Sequence, residues 1–382
     1  MSGFPLKNFS FANNALTAPL LTGFAVAMMT CTVASAADLY VSTAGRDTNT
    51  GTSSTAPLRT IQRAANLARP GYTIHVAPGT YTETITSTVN GTSSARIRFV
   101  SDTKYGAILR PAGSAYTMWT ARGGYTDIDG FQINGAGSTT ARVGIYLNGG
   151  NSSVKNSWIH DVAMASGCDN RGGGGIVADQ GRGSAYSNYD IIGNRVNNVG
   201  GGCGWIQGIY HSSSGKIINN VVNGTSQGIN MGHDDHNILV MNNTLFANSG
   251  YGVYFGGCKE AYNNGCPTRG IQIHNNIIYA NGGGIQGPIA SEDVGNSVAN
   301  NLVYANRTNF DLASPSSATR TGIISTDPQF VSYLSNGGGN YRLKTTSPAV
   351  NRGQTSYAPQ TDFDGKARGY YIDMGAYETN AN

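Results

Sequence analysis

Asn220-Val-Val-Asn-Gly-Thr-Ser-Gln-Gly-Ile-Asn230 is followed along the chain by Asn243-Thr-Leu-Phe-Ala-Asn-Ser-Gly-Tyr-Gly-Val-Tyr254 and by Asn276-Ile-Ile-Tyr-Ala-Asn-Gly-Gly-Gly-Ile-Gln286. Each passage opens on an asparagine and a strand-like run, and closes on a glycine, an Ile or Val, and one further residue. The same motifs continue outward. The asparagine motif recurs at Asn156, Asn194 and Asn301, and the glycine motif at Gly144-Ile145-Tyr146, Gly175-Ile176-Val177 and Gly208-Ile209-Tyr210. Two short alternating strands per unit cannot enclose a core alone, whereas units stacked about 4.8 Å apart can, with like residues falling into ladders. The repeat therefore predicts an all-β chain wound as a right-handed parallel β-helix. The asparagines belong in turns, each amide bonding to the asparagine of the next coil and satisfying buried turn backbone.

Composition agrees. Gly supplies 53 of 382 residues and only 12% are charged, which suits tight turns and disfavours helices. A hydrophobic content of 39% with 21 Tyr and 11 Phe is enough for a core and argues against a disordered low-complexity chain. One helix is expected, where Ile61, Ala64, Ala65, Leu67 and Ala68 form an apolar stripe before Pro70-Gly71; it would cap the open edge of the first coil. The units lengthen at 161–174, 199–207 and 256–268, and solenoids carry such insertions as surface loops beside a binding face. Coils fade after Asn306. The reading divides the chain into a signal segment at 1–36, a capped β-helix at 37–326, and a closing segment of the same domain at 327–382.

Lys7, the apolar stretch from Leu20 to Val33 and the small residues Ala34-Ser35-Ala36 read as an export signal, so a secreted protein beginning near Ala37 is expected, extracellular or periplasmic. No later segment is long and apolar enough to span a bilayer, so no membrane association is expected after cleavage. Cys31 falls in the signal and leaves Cys168, Cys203, Cys258 and Cys266, an even set suited to an oxidising compartment. Cys258 and Cys266 bracket a short loop and are expected to pair, leaving Cys168 with Cys203; a zinc site lacks its usual Cys-x-x-Cys spacing. The net charge of +4 fits an anionic ligand and is too low to favour nucleic acid. A monomer is expected.

Leu39-Tyr-Val-Ser-Thr-Ala-Gly-Arg-Asp47, Pro57-Leu-Arg-Thr-Ile-Gln62 and Val76-Ala-Pro-Gly-Thr-Tyr81 resemble the opening of the pectate-lyase-like superfamily, especially secreted β-helix lyases of the family 9 type. Asp327-Pro-Gln-Phe330, Tyr341-Arg-Leu343, Ser347-Pro-Ala349 and Asp373-Met-Gly-Ala-Tyr-Glu378 look like the closing module of bacterial β-helix proteins, some alginate lyases among them. The resemblance implies cleavage of uronic-acid polymers by β-elimination, in some members with calcium held by clustered aspartates. Calcium thus stands as a candidate cofactor, although no close cluster of acids beside a lysine surrounds Asp179, Asp234 or Asp235.

β-Elimination on a uronate needs a cation for the carboxylate, a base for the neighbouring C–H and an acid for the leaving oxygen. If the Ile of each glycine motif points inward, the next residue points outward, giving a column of Tyr146, Val177, Tyr210, Asn230, Tyr254 and Gln286. Tyr210 is the leading catalytic candidate, since a tyrosine near a cation can serve as base and acid. Tyr146, Tyr254 and Asn230 are candidate sugar contacts, although a surface aromatic ladder would look the same. His211 is a candidate partner by its titration range, yet alternation turns it inward, so an interior histidine fits equally. The turn Gly232-His233-Asp234-Asp235-His236 offers His233 for proton transfer and Asp234 for binding or metal, or is an ordinary polar turn. Arg182 and Lys259 are candidate carboxylate binders, Asp179 a candidate ligand contact, and Trp205 either stacks on a sugar or packs in the core.

These readings give a polysaccharide lyase acting on alginate, pectate or a related uronan. A uronan epimerase and a non-catalytic carbohydrate-binding or adhesion solenoid are the alternatives. A glycoside hydrolase is disfavoured because adjacent outer positions supply no facing carboxylate pair.

Overall fold

The structure is a computed structural model and describes residues 37–179, 188–233, 235–256, 268–288, 293–312 and 318–379. The export segment, Arg182, Asp234, Lys259, Cys258 and Cys266 lie outside the described residues.

Parallel strands stack into three long sheets of 11, 9 and 9 strands, the walls of a right-handed β-helix. The first sheet runs from Asp38–Val41 to Thr319–Thr321, the second from Gly79–Thr82 to Leu302–Tyr304, and the third from Ile85–Ser87 to Phe310–Asp311. Each coil therefore carries three strands where the repeat predicted two. The additional strand is the one of the first sheet, such as Tyr189–Ile192 or Ile238–Met241, which precedes the asparagine motif and has no glycine or asparagine signature of its own.

The inward residues of the third sheet form the expected apolar stack. Ile145, Ile176, Ile209 and Ile229 are paired coil to coil, followed by Val253 and Ile285, and all are fully buried. Between the first and second sheets, Asn194, Asn220, Asn243, Asn276 and Asn301 make a continuous interior ladder. Each side-chain oxygen from Asn220 onward accepts both the backbone N–H and the side-chain amide of the preceding asparagine, at 2.8–3.1 Å. Asn156 departs from expectation: Ser157 takes the interior position, donating its N–H to Asn194, while Asn156 sits at φ 48° and donates to Asp129.

This outward position explains the doubled asparagines. Asn219, Asn242 and Asn275 all have φ near +55°, a conformation asparagine tolerates, and they hold the C-terminal segment. Asn242 donates to the carbonyls of Asp373 and Gly375, Asn275 to Gln354, and Asn219 to Thr361. Arg368 returns a bond to Asn219 and is ion-paired with buried Glu378 at 2.9 Å. Phe330, Tyr341, Leu343, Met374 and Ala376 bury against Val221, Phe246, Ile277 and Leu302, so the tail covers the outside of the second sheet.

At the opposite end, the helix Ile61–Leu67 packs Ile61, Ala64 and Ala65 onto the first coils, as the apolar stripe predicted. Thr60 caps it, and the Glu83 carboxylate accepts the N–H groups of Ile61 and Gln62, which leaves few orphan donors at the helix start. No helix among the described residues is long and apolar enough to cross a membrane.

Candidate active site

The outside of the third sheet is left open by the tail, and the predicted column lies on it. Strand register places Tyr146, Val177, Tyr210, Asn230, Tyr254 and Gln286 side by side on successive coils, between Thr120 on one side and Asp311 on the other. The first five of these line a cleft of about 700 Å³. Asp179, Trp205 and His233 also line it, together with Arg171, Gln207 and Gln227, none of which the sequence singled out.

Tyr210 sits at mid-column. Its ring lies 6.2 Å from that of His233, centroid to centroid and tilted by 60°, and its hydroxyl hangs over Gly232, where a β-carbon would lie 4.0 Å from it. His233 adopts φ 64° at the exposed tip of its turn. The next acid, Asp235, is buried and acts as a brace: its carboxylate accepts the Gly256 N–H and the Thr268 hydroxyl, gripping both ends of the third insertion. Burial raises its pKa above the usual carboxylate range.

The column tyrosines are not equivalent. Tyr146 is pushed above its ordinary pKa by burial and then by the Asp179 carboxylate, which disfavours a phenolate there. Asn148 donates to the Tyr146 hydroxyl at 3.3 Å and to the Asp179 carbonyl at 3.1 Å, and Ser212 donates to the Asp179 carboxylate at 2.8 Å. Asp179 is thereby fixed beside the cleft floor.

His211 takes the inward alternative. It is 0% exposed, in register with Ala178 and Met231, and lines the interior rather than the cleft. Its Nε2–H donates to the Tyr189 carbonyl at 3.2 Å, leaving Nδ1 buried without a partner. Burial drives its pKa down to about 4, so it is neutral at ordinary pH.

The first two insertions build one wall. Cys168 and Cys203 are joined by a disulfide, as anticipated, which ties the loop before Gly173–Asp179 to the loop before Ile206–Ser212. Trp205 is 55% exposed on the cleft rim, which decides between its two readings in favour of a surface aromatic. Arg171 projects from the first loop; Tyr116 donates to its carbonyl and to that of Gly172, and Asp169 binds its guanidinium through Nε and Nη2. Among the described residues no three His, Cys, Asp or Glu side chains cluster as metal ligands, so calcium finds no carboxylate cage there.

A family profile described as a protein of unknown function, DUF1565, matches residues 43–89. No curated protein matches the chain. Among solved structures, pectate lyase Pel9A shares 19% identity at TM-score 0.57, covering 90% of this chain and 96% of that one. A rhamnogalacturonan lyase shares 14% at TM-score 0.51, covering 88% and 96%. An alginate lyase from Paenibacillus sp. str. FPU-7 shares 20% at TM-score 0.44, covering 69% and 92%. The similarity to pectate-lyase-like β-helix proteins read from the sequence is thus found in three dimensions, and at these identities it is a similarity of fold.

Proposed function

We propose that the chain is an exported polysaccharide lyase that cleaves a uronic-acid polymer by β-elimination in the third-sheet cleft. The observation that carries this reading is the convergence of Tyr210, His233, Asn230, Arg171 and Trp205 on one open cleft along the coil axis. The disulfide agrees with export.

In this reading Trp205 stacks on a sugar ring and Arg171 pairs with the uronate carboxylate, which acidifies the adjacent C–H. Tyr210, as phenolate, takes that proton. The electron pair left on carbon forms a double bond to the neighbouring carbon as its bond to the glycosidic oxygen breaks, and the phenol returns the proton to the departing oxygen. His233 faces Tyr210 and assists the transfer; Asn230 and Tyr254 bind sugar hydroxyls on the following coils.

Incubation with alginate, polygalacturonate and glucuronan, followed by ultraviolet absorbance of the unsaturated product, tests this directly. The Tyr210→Phe variant is expected to fold normally and to lose activity by about a hundredfold or more. Sugar binding with no product from the wild-type protein would instead support a non-catalytic carbohydrate-binding solenoid, and inverted uronate stereochemistry without cleavage would support an epimerase.

A further inference from the structure

The loop that carries Arg171 is built around a second arginine that the proposed chemistry does not use. Arg142 is 1% exposed, yet it bears a full charge beneath the cleft wall. A buried guanidinium is tolerated only where its donors are met, and here they are met almost entirely by one loop. Nε donates to the Gly172 carbonyl at 2.9 Å, Nη1 to the Gly167 carbonyl at 3.2 Å and to that of Ser166 at 3.5 Å, and Nη2 to the Asp169 carbonyl at 3.1 Å. Arg142 also lies 3.4 Å from the Asp169 carboxylate.

That carboxylate is the next link. It receives Arg171 Nε at 3.1 Å and Nη2 at 2.7 Å, with the Arg171 N–H on the same group at 3.0 Å. Side-on pairing of this kind fixes the plane of a guanidinium. The end edge, Nη1 with the second proton of Nη2, makes no bond among the described residues, and the side chain is 65% exposed at the cleft. Two cations and one anion leave the unit with a net charge of +1.

We infer that Arg142 and Asp169 are positioning residues that hold Arg171 as a preformed receptor for a planar carboxylate on the ligand in the cleft. The inference rests on the uronan reading above and deepens it by assigning the carboxylate-binding step to a loop whose shape is set from beneath. Preorganisation matters because an exposed arginine otherwise loses much rotamer freedom on binding.

The test uses the full mature protein, with Asp169→Asn, Arg142→Met and Arg171→Lys variants. The Arg171 Nε–H resonance in nitrogen-edited NMR, assigned by its disappearance in Arg171→Lys, is expected to be slowly exchanging in the wild type and lost or averaged in both other variants. KM for the cleaved uronan is expected to rise roughly tenfold to a hundredfold in Asp169→Asn, the loss of one charge-assisted contact, with kcat little changed. An unchanged Arg171 resonance in Asp169→Asn overturns the relay, even if Arg142→Met fails to fold. An intact resonance effect with no rise in KM overturns the carboxylate-receptor role. If the wild type acts on no uronan, the functional reading falls, and the relay is judged on the resonance alone.

Discussion

At the scale of single residues, His211 shows how alternation decides a role before chemistry can. Its neighbours in register, Ala178 and Met231, are apolar, and a histidine among them is neutral because charging it would cost burial without a counterion. Its folded pKa of about 4 lies below the ordinary value of 6.5, so the unfolded chain binds the extra proton first. Stability is therefore full above pH 6.5 and falls as pH drops toward 4, by about 3 kcal/mol at most. Unfolding free energies measured across that range should show the decline, and His211→Met should remove this part of it. Retention of the full decline in His211→Met would contradict the assignment. The outward facing of Tyr210, Asn230 and Tyr254 was legible in the sequence because strand alternation fixes it, whereas Trp205, open between a sugar contact and the core, is placed at the surface only by its exposure. Arg142, Asp169 and Arg171 were not, because periodicity says nothing of how an irregular loop folds back on its base.

At the scale of elements, the asparagine ladder determines how coils stack. Asn243 accepts the buried Asn220 N–H and side-chain amide, and donates to the Ile217 carbonyl and to Asn276. Asn243→Ala leaves these groups unpaired inside the coil and is expected to destabilise by about 3 kcal/mol in urea unfolding. Asn156→Gly should change stability by less than about 1 kcal/mol, because glycine already occupies the matching position at Gly193, φ 66°. Equal losses in the two variants would contradict the distinction between inner and outer asparagines. The sequence made this ladder visible because one residue type recurs at one turn. It did not show the third strand of each coil, whose Ile, Leu and Val residues lack a punctuating turn residue, and it did not show why asparagines come in pairs. That second fact depends on where the tail docks, which is a tertiary relation between residues more than a hundred positions apart.

At the scale of the whole molecule, the covering of the outer faces locates the site. The tail occupies the outside of the second sheet, and the first two insertions rise along the third, which leaves an open floor of successive strands flanked by a stapled loop wall, the surface on which the proposed function places a long polymer. Coil spacing of about 4.8 Å gives that floor a regular step, so outward side chains recur along it at equal intervals. The most direct test is a crystal structure of the Tyr210→Phe variant soaked with an oligouronate. Sugar rings lying along Tyr146, residue 210, Asn230 and Tyr254, with a carboxylate on Arg171 and a ring against Trp205, are the predicted result. An oligouronate bound on another face, with this cleft empty, would contradict the account.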